Sequence, residues 1–213
     1  MSPCRLRFFC VLIIIAFVLP GCGGSRIPDV SLKDYEKKGV RLVALMPVDN
    51  KTKDAYAAEV MRSELLEALY FKGYPKIPLD VIDGKTAELY KNNPAPERGR
   101  IPPGVLGGLL GVDSVMYCTL ERWETSYLFF YARTSVSATL ELRSVETGET
   151  LWSARESIAE GHYDFTKKRL EIKSRQVYEP IMQEIIVKAM ATLPDGPDAI
   201  VKKPSDKRWW KFW

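Results

Sequence analysis

His162 is the only histidine in the chain and stands in EGHYDF with Asp164 two positions on. A base held by a carboxylate needs a nucleophile as third member, and neither a G-x-S-x-G elbow nor a Cys-His pairing is visible. A loop histidine, exposed or locally bonded, is the expectation. Asp80 with Asp83 and Glu146 with Glu149 are paired carboxylates, the kind used in acid–base work or cation binding. One pair falls at the end of an expected strand and the other in a turn, neither with a second ligand cluster, so capping and turn roles follow. Gly104, Gly107, Gly108 and Gly111 (GVLGGLLG) fit neither G-x-G-x-x-G nor a P-loop; close packing of a short helix on a sheet is expected instead. Cys118, in VDSVMYCTLE, reads as a buried inert thiol on a strand, with no His or basic cluster beside it. No catalytic residue, metal ligand, cofactor or small-molecule substrate site is assigned.

The spacing that does carry chemistry lies at the amino terminus. Arg5 and Arg7 precede twelve uncharged residues, Phe8 to Leu19. A helix of that length spans about 18 Å, short of the ~30 Å hydrocarbon core, which describes an export signal rather than a retained span. The junction Leu19-Pro20-Gly21-Cys22 resembles the lipobox of bacterial lipoproteins, with Pro20 its one uncommon residue. There the Cys22 thiol takes a diacylglyceryl group, the signal is cut before it, and the new amine is acylated with a fatty acid such as palmitate. Such chains hold a protein on a membrane essentially permanently, at ~0.8 kcal/mol per buried CH₂. Gly23 stands where an Asp would favour inner-membrane retention, so the expected location is the outer membrane, facing the periplasm.

Composition agrees. The 213 residues are 46% hydrophobic and 27% charged, with a net charge of +4, too small to imply nucleic acid as a partner. Cys4 and Cys10 leave with the signal and Cys22 is lipidated, so Cys118 has no intrachain partner and the domain must rest on its core.

The elements that must position these residues follow from periodicity. The expected organisation is a signal peptide (1–21), a lipidated flexible tether (22–40), one α/β domain (41–194) and a basic aromatic tail (195–213). RLVALM (41–46) suits a buried central strand. Residues 53–71 read helical on the stripe Ala57, Met61, Leu65, Ala68 and Leu69, with Gly73 ending the helix. YPKIPLDVI (74–82) reads as a second, broken strand, followed by a short helix from Asp83 to Tyr90. A small helix (105–110) leads into strands at 112–123, 127–143 and 150–159, the last two joined by a turn at Glu146–Glu149. A final helix runs from Pro180 to Leu193. The fold class is α/β: one mixed sheet with an antiparallel edge hairpin, packed by helices, in the order β-α-β-α-α-β-β-β-α.

Four stretches carry a family resemblance: DYEKKGVRLVALMPVDN (34–50), GYPKIPLDVID (73–83), LLGVDSVMYCTL (109–120) and TSVSATLELRSVETGETLW (134–152). In this order they resemble the family of bacterial outer-membrane lipoproteins that includes a neisserial surface antigen. More distantly they are similar to the amino-terminal domain of TolB and to the curli-secretion channel lipoproteins. The resemblance implies a TolB-like α/β fold without enzymatic activity, acting through contacts with other envelope proteins in transport or assembly. An alternative is an activator lipoprotein that regulates a peptidoglycan enzyme. The curli channels carry membrane-crossing hairpins; here SYLFFY (126–131) is the single candidate, and it does not alternate over the ~10 residues a barrel strand needs.

The tail, KKPSDKRWWKFW (202–213), concentrates five basic residues and three of the five tryptophans. Lys207, Arg208, Trp209, Trp210, Lys211 and Trp213 suit contact with an anionic membrane surface. A flexible exposed end and aromatics folded back on the domain are the other two readings.

Overall fold

The computed structural model describes residues 39–92 and 101–199. Cys22 and the basic aromatic stretch 202–213 lie outside them. RLVALM supplies β1 (Val43–Leu45), and the chain pairs again as β2 (Asp49–Asn50) after Met46-Pro47-Val48. Pro47 has no N–H for a ladder, which accounts for the interruption. Both pieces run parallel along one edge of β3 (Ser114–Leu128), Leu45 opposite Met116 and Asn50 opposite Leu120. β4 (Tyr131–Ser144) and β5 (Thr150–Tyr163) add antiparallel, giving a mixed sheet of order β1-β3-β4-β5. β1 is therefore an outer strand rather than a central one. Its apolar run is still needed, because helices bury both of its faces.

On one face lie α1 (Ala55–Phe71) and α5 (Tyr178–Thr192). Asp54 caps α1 by accepting from the Ala57 N–H at 3.2 Å. Its stripe Ala57, Met61, Leu65 and Leu69 meets Met182, Ile185 and Ala189 of α5 over Leu45, Met116, Leu140 and Trp152, forming the larger core. Gly73, at φ +88°, lets the chain leave α1 by a left-handed step and leaves room for the Ala199 backbone beside it. On the other face, α2 (Leu79–Asn92) and α3 (Pro103–Leu110) cover β1, the start of β3 and the end of β4. There Ile82 and Leu106 pack on Ala44, Met46, Val115 and Tyr117. Gly107 faces Val145 so closely that a Cβ would overlap its side chain, so the glycine-rich segment serves helix packing.

Further expectations need correction. YPKIPLDVI is not a strand: α2 begins at Leu79 and takes Asp80 and Asp83 into its first turns. Leu79, Ile82 and Leu89 fall at helical spacing, and the β-branched Val81-Ile82 pair hides that in a short window. Asp83, inside α2 rather than capping it, makes a two-pronged ion pair with Arg62, both contacts at 2.7 Å. β3 runs on to Leu128, past the end expected at Trp123, and takes Tyr127 and Leu128 from β4, which starts only at Tyr131. A bulge at Glu121 shifts the register between Leu120 and Arg122. Without that extra residue Trp123, Thr125 and Tyr127 would face away from Met116, Cys118 and Leu120. β5 continues to Tyr163 and carries His162 on a strand, not in a loop. Lastly, α4 (Lys167–Gln176) was not expected: it buries only Leu170 and Ser174, too little apolar surface for a visible stripe. The order is thus β-β-α-α-α-β-β-β-α-α.

Register fixes which ends of the domain lie together. Val43, where the chain comes in, pairs with Ser114 at the start of β3. The carboxyl end of the described fold lies on the same side: Trp152, two pairings from Met116, donates to Thr192 at 3.1 Å. The chain then docks on the end of α1, the Gly196 and Asp198 N–H groups donating to the Lys72 and Gly73 carbonyls. The Leu128–Tyr131 tip stands at the other end, fourteen pleats along β3, or roughly 45 Å at 3.3 Å per residue.

Candidate functional site

Beyond the bulge, β3 loses its cover on one side and the face toward α1 and α5 opens into a groove of about 1040 Å³. Its floor is aromatic. The Trp123 ring stacks on Tyr178 with centroids 4.5 Å apart and planes 17° from parallel, an arrangement worth about 1 kcal/mol beyond its burial. Thr125 Oγ1 links the Tyr178 hydroxyl and Thr134 Oγ1, each at 2.9 Å. Burial pushes the Tyr178 phenol above its usual range, and the charge of Asp54 and Glu124 adds to that; its hydrogen bond to Thr125 opposes them. Tyr56 stands exposed at the rim beside Asp54, with Lys53, Arg175 and Glu179 around it. The groove thus offers stacked rings, hydroxyls and charges of both signs.

Past the groove, β3 and β4 run on as an arm whose Ala132 and Thr134 are still buried, α4 lying against β4, and which ends in Leu128-Phe129-Phe130-Tyr131. Phe129 has φ +50°, the only positive φ at a non-glycine among the described residues, in a two-residue turn where glycine or asparagine is at ease. Phe130 lies 6.1 Å from Phe165, and Tyr131 4.8 Å from Tyr163, so the loop after β5 adds its rings to the same tip. Phe129 and Phe165 are each 89% exposed. The basic start of α4, Lys167-Lys168-Arg169, follows at once.

The residues singled out for chemistry do not come together. His162 Nε2 is buried, 3.7 Å from the Glu160 carboxylate. Asp164 turns away to Lys173 at 2.8 Å, and that hydrogen bond holds its carboxyl below the usual range. Glu146 and Glu149 sit in the turn between β4 and β5, where the Thr147 hydroxyl donates to Glu149 at 3.2 Å. Cys118 is buried beside Met61 at 3.6 Å. Among the described residues no group of three or more His, Cys, Asp or Glu is placed to hold a metal ion. No helix among them is long and apolar enough to cross a membrane. The tip did leave a signal in the sequence: SYLFFY breaks an otherwise alternating stretch with five consecutive large apolar residues, Tyr127 to Tyr131. The Trp123–Tyr178 stack left none, since it joins two positions far apart in the chain.

The profile of a family described as "Putative lipoprotein GNA1162-like" matches residues 32–200. The "Putative lipoprotein NMB1124/NMB1162" of Neisseria meningitidis serogroup B is 27% identical over 164 residues, 76% of this chain and 72% of that protein. Among solved structures, lipoprotein GNA1162 of Neisseria meningitidis superposes with a TM-score of 0.49 at 26% identity, over 66% of this chain and 97% of its own. A PelC dodecamer from Paraburkholderia phytofirmans gives 0.46 at 17%, over 74% and 90%. The LpoB carboxyl-terminal domain from Escherichia coli gives 0.39 at 17%, over 56% and 82%.

Proposed function

From the premise that this chain belongs to the GNA1162-like lipoprotein family, we propose a lipid-anchored, non-enzymatic protein of the bacterial envelope that works by docking other envelope proteins. Residues 1–21 direct export, Cys22 carries the acyl chains in the outer membrane, and residues 22–40 tether a periplasm-facing domain. The tail beyond residue 201, with Lys207, Arg208, Trp209, Trp210, Lys211 and Trp213, orients the domain on the lipid surface. The role is that of an accessory in transport or assembly.

One observation carries the docking reading. Both ends of the described fold leave on one side of the sheet, while the aromatic groove lies away from them and is open. The groove therefore stays accessible when the protein is held by its amino terminus.

Two measurements test this. Cys22→Ala should abolish acylation and leave an uncut or soluble species; acylated, membrane-bound, mature-sized protein from that variant overturns the anchor. A photo-crosslinker in place of Tyr56 should yield a discrete adduct with one envelope protein in intact cells, lost on Trp123→Ala and Tyr178→Ala. Adducts that survive both substitutions remove the groove from the docking surface.

A further inference from the structure

The groove does not account for the arm that projects beyond it. Leu128, Phe129, Phe130, Tyr163 and Phe165 are 58 to 89% exposed, all at the end of the arm. Isolated apolar residues on a surface need no explanation, but five gathered on one projection mark a contact site. The charge beside them is mostly positive. Arg133, Lys167, Lys168 and Arg169 are all exposed around the rings. Of the carboxylates nearby, Asp164 is taken up by Lys173, Glu171 pairs with Lys167 at 4.0 Å, and Glu160 is half-exposed beside His162, so the cations are in excess. Exposed rings gathered at one tip and flanked by flexible cations match a fluid apolar phase under an anionic surface.

We propose that the Leu128–Tyr131 tip, with Phe165 and the Lys167-Lys168-Arg169 start of α4, inserts into the headgroup region of an anionic phospholipid bilayer as a second membrane contact, distinct from the lipid anchor. The inference rests on the reading of Cys22 as acylated, because the anchor supplies the bilayer at high effective concentration. A contact too weak to recruit a free protein is then occupied most of the time. The reach suffices: residues 22–39 extend to at most about 60 Å, and the tip is roughly 45 Å from the end where the chain comes in. A domain lying along the membrane therefore brings both ends to one bilayer, with the tether slack.

The acylated protein, purified and placed in vesicles, tests the inference. A nitrobenzoxadiazole dye on Phe129→Cys reports the tip; Cys118, 1% exposed, is shielded from labelling. In vesicles containing phosphatidylglycerol, lipid-borne quenchers should dim the dye at least about threefold more than in purely zwitterionic ones, because each basic residue adds attraction only at an anionic surface. Lys167→Glu with Lys168→Glu should abolish that difference, and Phe130→Ser should weaken the quenching on both. A dye open to iodide and indifferent to lipid quenchers, on protein that mass spectrometry shows to be acylated, overturns the tip contact alone. Unacylated protein overturns the anchor reading and the inference with it. Shielding that persists without vesicles and grows with protein concentration means that the tip meets a second copy, which also overturns a lipid contact.

Discussion

The two halves of β3 are built on opposite plans. From Ser114 to Leu120 nearly every residue is buried, with helices on both faces and parallel partners on one edge. From Arg122 to Leu128 the burial alternates and then fails, and the pairing is to β4 alone. The bulge at Glu121 is the boundary. It is held in place by its own side chain, which accepts from Thr139 at 2.9 Å and from Arg155 at 2.6 Å across two neighbouring strands. Burial is thus concentrated in one half of a single strand, and the other half presents rings. Buried and exposed stretches are separated along one backbone, so substitutions should sort by which side of Glu121 they touch.

The largest effect is expected on the covered side. Trp152 is fully buried between α5 and the sheet, with its ring N–H satisfied by Thr192. Trp152→Ala leaves a cavity and removes the hydrogen bond to Thr192, and should cost about 3–5 kcal/mol in urea unfolding. A loss below about 1 kcal/mol breaks the comparison, because it means that the helix-covered half does not hold the fold.

A smaller effect is expected just past the boundary, at the groove. Tyr178→Phe keeps the stack on Trp123 but removes the hydrogen bond to Thr125, a loss of about 1 kcal/mol. The pH dependence has a definite sign. The folded phenol is raised above its unfolded value near 10, so it favours folding fully below that value and the advantage fades as pH rises through the folded pKa. Wild type should therefore lose stability above about pH 10 more steeply than Tyr178→Phe, and the two unfolding curves should converge there. Parallel curves would show that the phenol is as well solvated as in the unfolded chain.

How much of this was legible in the sequence follows the same boundary. On the covered side, apolar runs and stripes are long: RLVALM, the α1 stripe and the α5 stripe each point to their buried face. The TGE turn, with Gly148 at φ +72°, is where its chemistry places it. Period was misleading only where proline and β-branched residues sit at a helix start, at 74–82. On the bare side the bulge reverses the alternation at Glu121, so β3 reads as ending early, and α4 is nearly all polar because it rests on the sheet by two residues. The groove could not be read at all. It depends on Trp123 and Tyr178 meeting through the packing of α5, which no local pattern records. SYLFFY was visible as an anomaly but not as a turn, since nothing in two adjacent phenylalanines signals a positive φ.

That turn offers the finest test of the division. An L-residue with a side chain pays about 1–2 kcal/mol to stand in the left-handed region, and glycine pays almost nothing there. Phe129→Gly relieves that strain but gives the unfolded chain more freedom, worth about 0.5–1 kcal/mol in the opposite direction. The Phe129 ring is 89% exposed and contributes little packing to offset the gain. The net expectation is a protein more stable by about 0.5 kcal/mol whose tip contacts lipid less. A substitution that improves the fold while removing a surface contact is the mark of a residue kept for something other than folding. If Phe129→Gly instead destabilises the domain by more than about 1 kcal/mol, the ring packs in solution after all, and the arm belongs with the covered half of β3 rather than against it.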